Sequence, residues 1–320
     1  MQGGHSRTPL FWEVWFGMHE MQRRRYGDPP TIESSIRMAE DLGMAALAVG
    51  GVNINAGFGA QGKAQDGTTH YCGGSLTSLD QLAERPLPDW SQDIPAIQSN
   101  LRAVRDAGIA GVLYMPWCFH TIATGMGLQS LALRVCEDPE FVHACMRWVE
   151  ERNRAAIRQV VAAVMPDLVL FDGDCSYKTG LMVNPVQFRA LVYEETRQTT
   201  ALLRELGVPY MLHTDGKLDD VIPVLTELGF AAIHGCEKQA NDLDHLVDAF
   251  GDDICLIGNM DVVFLATTTV DEVRRETDDM LRRGMRKNRF IAACNTSPLD
   301  YIPEENYLAM CDVIKRFGRA

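Results

Sequence analysis

The 320-residue sequence contains no apolar run near the ~20 residues that a membrane-spanning helix requires. Its start, "MQGGHSRTPLFWEVW", lacks the basic, apolar, small layout of a secretory leader. Cysteine is present without a framework: nine residues, at 72, 118, 136, 145, 175, 236, 255, 294 and 311, form an odd set with no paired spacing. A disulfide scaffold is therefore not expected, and the thiols read as reduced core filler in a cytoplasmic protein. No CxxC or HExxH pair offers a ready metal site. No glycine-rich phosphate fingerprint follows a strand, which disfavours a doubly wound dinucleotide fold. Positive charge is scarce. With a formal net charge of -13, neither nucleic acid nor an anionic membrane is expected as the main partner. The one basic run, "QRRRYG" at 22–27, reads first as the solvated end of a helix.

What the sequence does have is a core and a rhythm. At 46% hydrophobic and 23% charged residues the composition suits a globular chain. Short apolar runs alternate with longer amphipathic ones, and strands are expected at Leu10–Phe16, Ala45–Gly50, Ile109–Met115, Leu168–Asp172, Tyr210–His213, Ala231–His234, Ile254–Gly258 and Phe290–Cys294. Helical faces follow the later strands: Leu218, Val221, Ile222, Leu225 and Leu228 share one, and Leu243, Leu246, Val247 and Phe250 another. Thr269 with Glu272 three residues on forms a capping box, and Pro303 followed by two glutamates marks another helix start. Two helices are expected over 128–164. Eight strand–helix units predict a single (β/α)8 TIM barrel over residues 1–320. Residues 52–95, rich in Gly, Asn, Gln and Thr, interrupt the rhythm and are expected to form an inserted lid after the second strand.

In a parallel barrel the chemistry sits where strands end, and here those ends are polar: "MPWCFH", "FDGDCSYKTG", "LHTDG", "HGCEK", "GNMD" and "ACNTS". Each has a structural alternative. His213 and Asp215, two apart and so on the same side, suit a metal or an acid–base pair; equally, the histidine could bond backbone and the aspartate cap a helix. Cys294 is a candidate thiolate or a packing residue, and Cys236 with Glu237 offers the same choice one strand away. Asp172, Asp174 and Tyr177 are candidate acid–base or substrate-handling groups. Trp12, His120, Lys178, Asn259 and Asp261 are candidate substrate contacts, each with a packing, capping or ion-pairing alternative.

Four segments together carry a resemblance: "FDGDCSYKTGLMVNPVQFR", "LHTDGKLDDVIPVLTELGFAAIH", "IGNMDV" and "AACNTSPLDYIPEENYLAM". In this order they resemble the uroporphyrinogen-decarboxylase-like superfamily, from about Pro9 to Phe317. The resemblance implies a single (β/α)8 barrel. Porphyrinogen decarboxylases of that superfamily carry an arginine-rich "RQAGRY" motif after the first strand and an aspartate after the second. This chain has "PLFWEVWFGMHEMQRRRYGDP" and "ALAVGGVNINAG" in those places. It looks more like the branch of zinc methyltransferases that exchange a methyl group with a corrinoid (cobalamin) protein. Their His-x-Cys after strand five and Cys after strand eight correspond to His213-Thr214-Asp215 and Cys294. The resemblance thus implies Zn2+ at His213, Asp215 and Cys294, Asp215 standing where the family has Cys, with Cys236 or Glu237 as the alternatives that complete the shell instead. It also implies a small methylated substrate (ether, amine or thiol), a corrinoid protein as partner and an O-demethylase-type reaction. A metal-independent decarboxylase and a non-catalytic ligand-binding barrel are the alternatives, and a homodimer is an open expectation.

Overall fold

The computed structural model describes residues 9–63 and 69–318. Eight parallel strands form one curled sheet: β1 Leu10–Phe11, β2 Ala46–Gly51, β3 Ala110–Pro116, β4 Leu168–Asp172, β5 Tyr210–His213, β6 Ala232–His234, β7 Cys255–Met260 and β8 Phe290–Cys294. Their order is β1-β8-β7-β6-β5-β4-β3-β2, which is sequence order wrapped into a ring. At the seam, the Ala45 amide donates to the Phe11 carbonyl at 2.7 Å. The architecture is that of a TIM-like barrel. Seven expected strands fall within two residues of those observed. The first is shorter than expected. After Phe11 the chain stays beside β8 through single contacts, Trp12 N–H to the Ala292 carbonyl and a bridge between Gly17 and Leu299, without forming a ladder.

Side chains alternate across each strand, and here the alternation sorts them into two buried clusters. Val112, Leu170, Met211, Ala232, Ile257 and Ala293 fill the barrel interior together with Trp12. Their neighbours Leu113, Phe171, Leu212, Ile233, Leu256 and Ala292 belong to a larger cluster that includes Leu225, Val247, Leu281 and Met310 from the surrounding helices. Full burial of each such aliphatic side chain contributes roughly 1.5–3 kcal/mol. The faces predicted from helical spacing are therefore core faces. Leu218, Val221 and Leu228 are buried as predicted, although the regular helix spans only Ile222–Glu227 and they pack from its flanking turns.

Helix starts are set by side chains. The Thr269 hydroxyl accepts from the Glu272 amide while Glu272 reaches back to the Thr269 amide, the capping box expected from the sequence. The expected helix pair over 128–164 is observed as Leu128–Glu137 and Pro139–Ala156, the second continuing through a wider turn at Ile157–Val161. In the 52–95 insertion, Gly59–Lys63 and Thr69–Gly74 pair as an antiparallel hairpin, and residues 64–68 lie outside the described residues. The hairpin packs on the helix Cys118–Met126 that follows β3. The Tyr71 hydroxyl donates to the Thr124 carbonyl at 2.9 Å, and the Leu76 amide to the Gly125 carbonyl at 2.9 Å. No helix among the described residues is long and apolar enough to cross a membrane.

Candidate functional site

Strand register builds the floor of the site. Asp172 on β4 lies opposite His213 on β5, which lies opposite His234 on β6. Each sits two residues beyond an interior residue (Leu170, Met211 and Ala232), so alternation turns all three inward at the carboxyl ends of their strands. Asp174 and Asp215 follow two residues further on. The turns that carry them need glycine. A side chain at Gly216, where φ is +89°, would meet the Ser176 and Tyr177 backbone at 2.7 Å. One at Gly235, where φ is +103°, would come within 2.1 Å of the Thr214 carbonyl.

Three ligand-type side chains converge above this floor. Oxygens of Asp174 and Asp215 and a ring nitrogen of His213 all lie within 4.8 Å of one another. His213 Nε2 stands 3.9 Å from Asp174 Oδ1 and 3.8 Å from Asp215 Oδ1, too far for hydrogen bonds. The Asp215 amide donates to Asp174 Oδ1 at 2.9 Å, and the Gly216 amide donates to Glu237 Oε2 at 2.6 Å, which ties the loops of β4, β5 and β6 together. Asp215 Oδ1 is buried and receives no hydrogen bond. A buried carboxylate oxygen without a donor is costly unless a cation or a proton meets it. Burial raises Asp215 to about 7, helped by the charges of Asp174, Glu237 and Asp172. Burial and Asp174 also raise Asp172, against a lowering by His120. Burial, with His234 and His120, holds His213 well below the usual imidazole range, and burial lowers His234 to about 4. One neutral imidazole and two carboxylates with a gap between them suit a divalent metal, zinc included.

Beside the cluster lies a cavity of about 120 Å3, lined by Tyr71, His120, Ala123, Thr124, Leu128, Met182 and Asp174. His120 accepts the Asp174 amide on Nδ1 at 3.1 Å, so in its neutral form the ring carries its proton on Nε2. Trp15 packs edge-on against His213, ring centres 4.4 Å apart at 82°.

The uroporphyrinogen decarboxylase (URO-D) family model matches residues 54–317. The chain belongs to that family. A methyltransferase from Methanosarcina mazei superposes with a TM-score of 0.74 at 15% identity, covering 97% of this chain and 94% of that one. A B12-independent methionine synthase from Shewanella sp. W3-18-1 gives a TM-score of 0.52 at 12% identity, covering 98% and 96%. At these identities the likeness is one of fold. No curated protein matches the chain.

Within this URO-D barrel two expected cysteines lie outside the cluster, and the other expected residues have the following partners. Cys294 does not join His213: its neighbour Ala293 faces the barrel interior, so Cys294 faces the helix layer. There the Cys294 amide donates to Glu13 Oε2 at 3.1 Å, and burial followed by Glu13 pushes the thiol far up. Asp174, expected as a catalytic group, takes the third place in the convergent set instead. Cys236 is likewise buried in the outer cluster, its thiol raised to about 12 by burial. Trp12 is 2% exposed and packs in the barrel interior. Asn259 donates to the Cys236 carbonyl at 2.9 Å, and Asp261 caps the helix Val262–Thr267 through the Val263 and Phe264 amides. Lys178 reaches Gln239 on the rim, and the Tyr177 ring is half exposed there. Arg24 and Arg25 both pair with Glu304, so the basic run is a paired helix end. His234 was not among the expected site residues, whereas Trp15, beside Trp12 in the first aromatic run, was open to either a substrate wall or the barrel core. The parallel patterns "MLHTD" and "AIHGC" on adjacent strands were the available signal for His234.

Proposed function

We propose that the chain is a metal-dependent methyltransferase that moves a methyl group between a small methylated substrate and a corrinoid protein partner, as an O-demethylase does. The observation that carries this reading is the convergence of Asp174, His213 and Asp215 at the barrel mouth, with a buried Asp215 oxygen that no donor reaches. These residues would hold zinc with a coordination position to spare. A metal bound there supplies Lewis acidity toward a methyl-bearing heteroatom.

The chain's own residues define the rest. The cavity beside Asp174 offers Tyr71, Ala123, Leu128 and Met182 as walls for the carbon skeleton of a small substrate, with His120 as its polar contact. Among the described residues no lysine or arginine lines it, and about 120 Å3 is far below the 300–1,000 Å3 of pockets for drug-sized ligands. Both facts disfavour a polyacidic porphyrinogen. Asp172, raised by burial and by Asp174, can hold a proton and deliver it to the leaving oxygen, nitrogen or sulfur. The hairpin contributes the Tyr71 side chain to the wall of this cavity.

The test is methyl transfer from methoxybenzene, a methylamine or a methyl thioether to added cob(I)alamin, followed by its absorbance change, with the metal content of the same protein measured by mass spectrometry. Transfer that stops on chelation and returns with zinc supports the reading. Transfer unaffected by complete metal removal, or no transfer from any of the three donors, overturns it.

A further inference from the structure

His213 has two ring nitrogens, and the structure accounts for both. Nε2 faces Asp174 and Asp215. Nδ1 lies 2.7 Å from Nδ1 of His234, and Nε2 of His234 lies 3.0 Å from the Cys294 carbonyl. A carbonyl oxygen only accepts, so His234 must carry a proton on Nε2. In a neutral ring its Nδ1 is then a bare lone pair, and the proton shared by the two Nδ1 atoms belongs to His213. The reverse assignment would set a nitrogen lone pair against the Cys294 oxygen. With one proton on each ring, this arrangement leaves His213 Nε2 without one.

We infer that His234 is a positioning residue: through the chain from the Cys294 carbonyl to His234 to His213 it fixes the His213 tautomer and aims a free Nε2 lone pair at the cation site. This rests on the metal site of the preceding section. The chain starts from a backbone carbonyl of β8, so the strand that contributes no side chain to the site still sets which nitrogen can bind. Metal-bound histidines commonly have their second nitrogen held by an outer partner, and loss of such a partner typically weakens metal binding about 10- to 100-fold. Here the outer partner is a second imidazole, 1% exposed, whose proton inventory is set one step further out.

Long-range proton–nitrogen correlation spectra of 15N-histidine-labelled, metal-free protein read the tautomers directly. Nδ1–H with bare Nε2 on His213, and the opposite on His234, are expected; Nε2–H on His213 would overturn the inference. Zinc affinity is then measured by competition with a chromophoric chelator. His234→Leu is expected to weaken it about 10- to 100-fold, and His234→Asn, whose Oδ1 can take the place of Nδ1 as acceptor, to recover most of the loss. Equal zinc affinity in wild type and His234→Leu would overturn the role of His234 alone. No zinc uptake by the wild type would overturn the cation site, and this inference with it. The tautomer spectrum is taken on unaltered protein, so misfolding of a variant cannot mask the answer.

Discussion

Two groups of buried titratable side chains lie on opposite sides of strand β8, and they differ in how their oxygens are met. On the helix side, Glu13 has both carboxyl oxygens served: Oε2 by the Cys294 amide at 3.1 Å and Oε1 by the Tyr307 hydroxyl at 3.2 Å. Burial lifts its pKa from 4.5 to about 8, so it stays a neutral acid within a closed network. On the lumen side, Asp215 Oδ1 is a buried atom on a side chain that is 38% exposed, and it receives nothing. The first group is complete without any ligand and its role is structural. The second has a gap shaped by two carboxylates and a bare imidazole nitrogen. Burial of a charge-bearing group is thus a weak guide to function; what separates these clusters is whether the protein itself supplies every donor.

The sharpest way to break that comparison is to remove one member from each side. His213→Ala or Asp215→Ala should weaken zinc binding by more than the roughly 100-fold at the upper end for loss of an outer partner, whereas Cys294→Ala should leave it nearly unchanged in the same chelator competition. A large loss in Cys294→Ala would return the thiol to the site. On the helix side, Glu13→Ala strands the Cys294 amide and the Tyr307 hydroxyl. It should cost about 2–3 kcal/mol in urea unfolding without altering metal binding. A subtler effect concerns pH. Between pH 4.5 and about 8 folded Glu13 keeps a proton that the unfolded chain has released, so its contribution to stability is full below about 4.5 and declines as pH rises through that window. Glu13→Gln should flatten this slope, removing a change on the order of 3–4 kcal/mol between pH 5 and pH 8. Parallel slopes would show that Glu13 is not the neutral acid described above.

The contrast also explains which parts of the structure were legible in the sequence. Strand positions were, because parallel-barrel strands are dense apolar runs between helical patterns. His213 and Asp215 were legible as a pair, because a spacing of two puts both on one side whichever side that is. The side itself was not. Strands of a parallel barrel are buried on both faces, so "FIAAC" carries no hydrophobic contrast to say that Ala293 faces the lumen and Cys294 the helices. Matching a cysteine to a family position supplied an identity without an orientation. Asp174 was legible as a polar strand end, but its partnership with His213 depends on the β4–β5 register, which no local pattern encodes. The short first strand escaped for a related reason: Trp12 and Val14 do alternate inward, yet they lack the ladder bonds that define a strand.

The register that sets Asp172, His213 and His234 side by side has one more consequence. Neighbouring strands are held ~4.8 Å apart by backbone bonding alone, so the spacing of this row is independent of the loops above it. Sequence drift beyond Asp174, Gly216 and Gly235 can therefore redraw what the mouth admits, while the row of Asp172, His213 and His234 keeps its spacing. New substrates would be reached in such a lineage by rewriting the entrance, with the floor inherited intact.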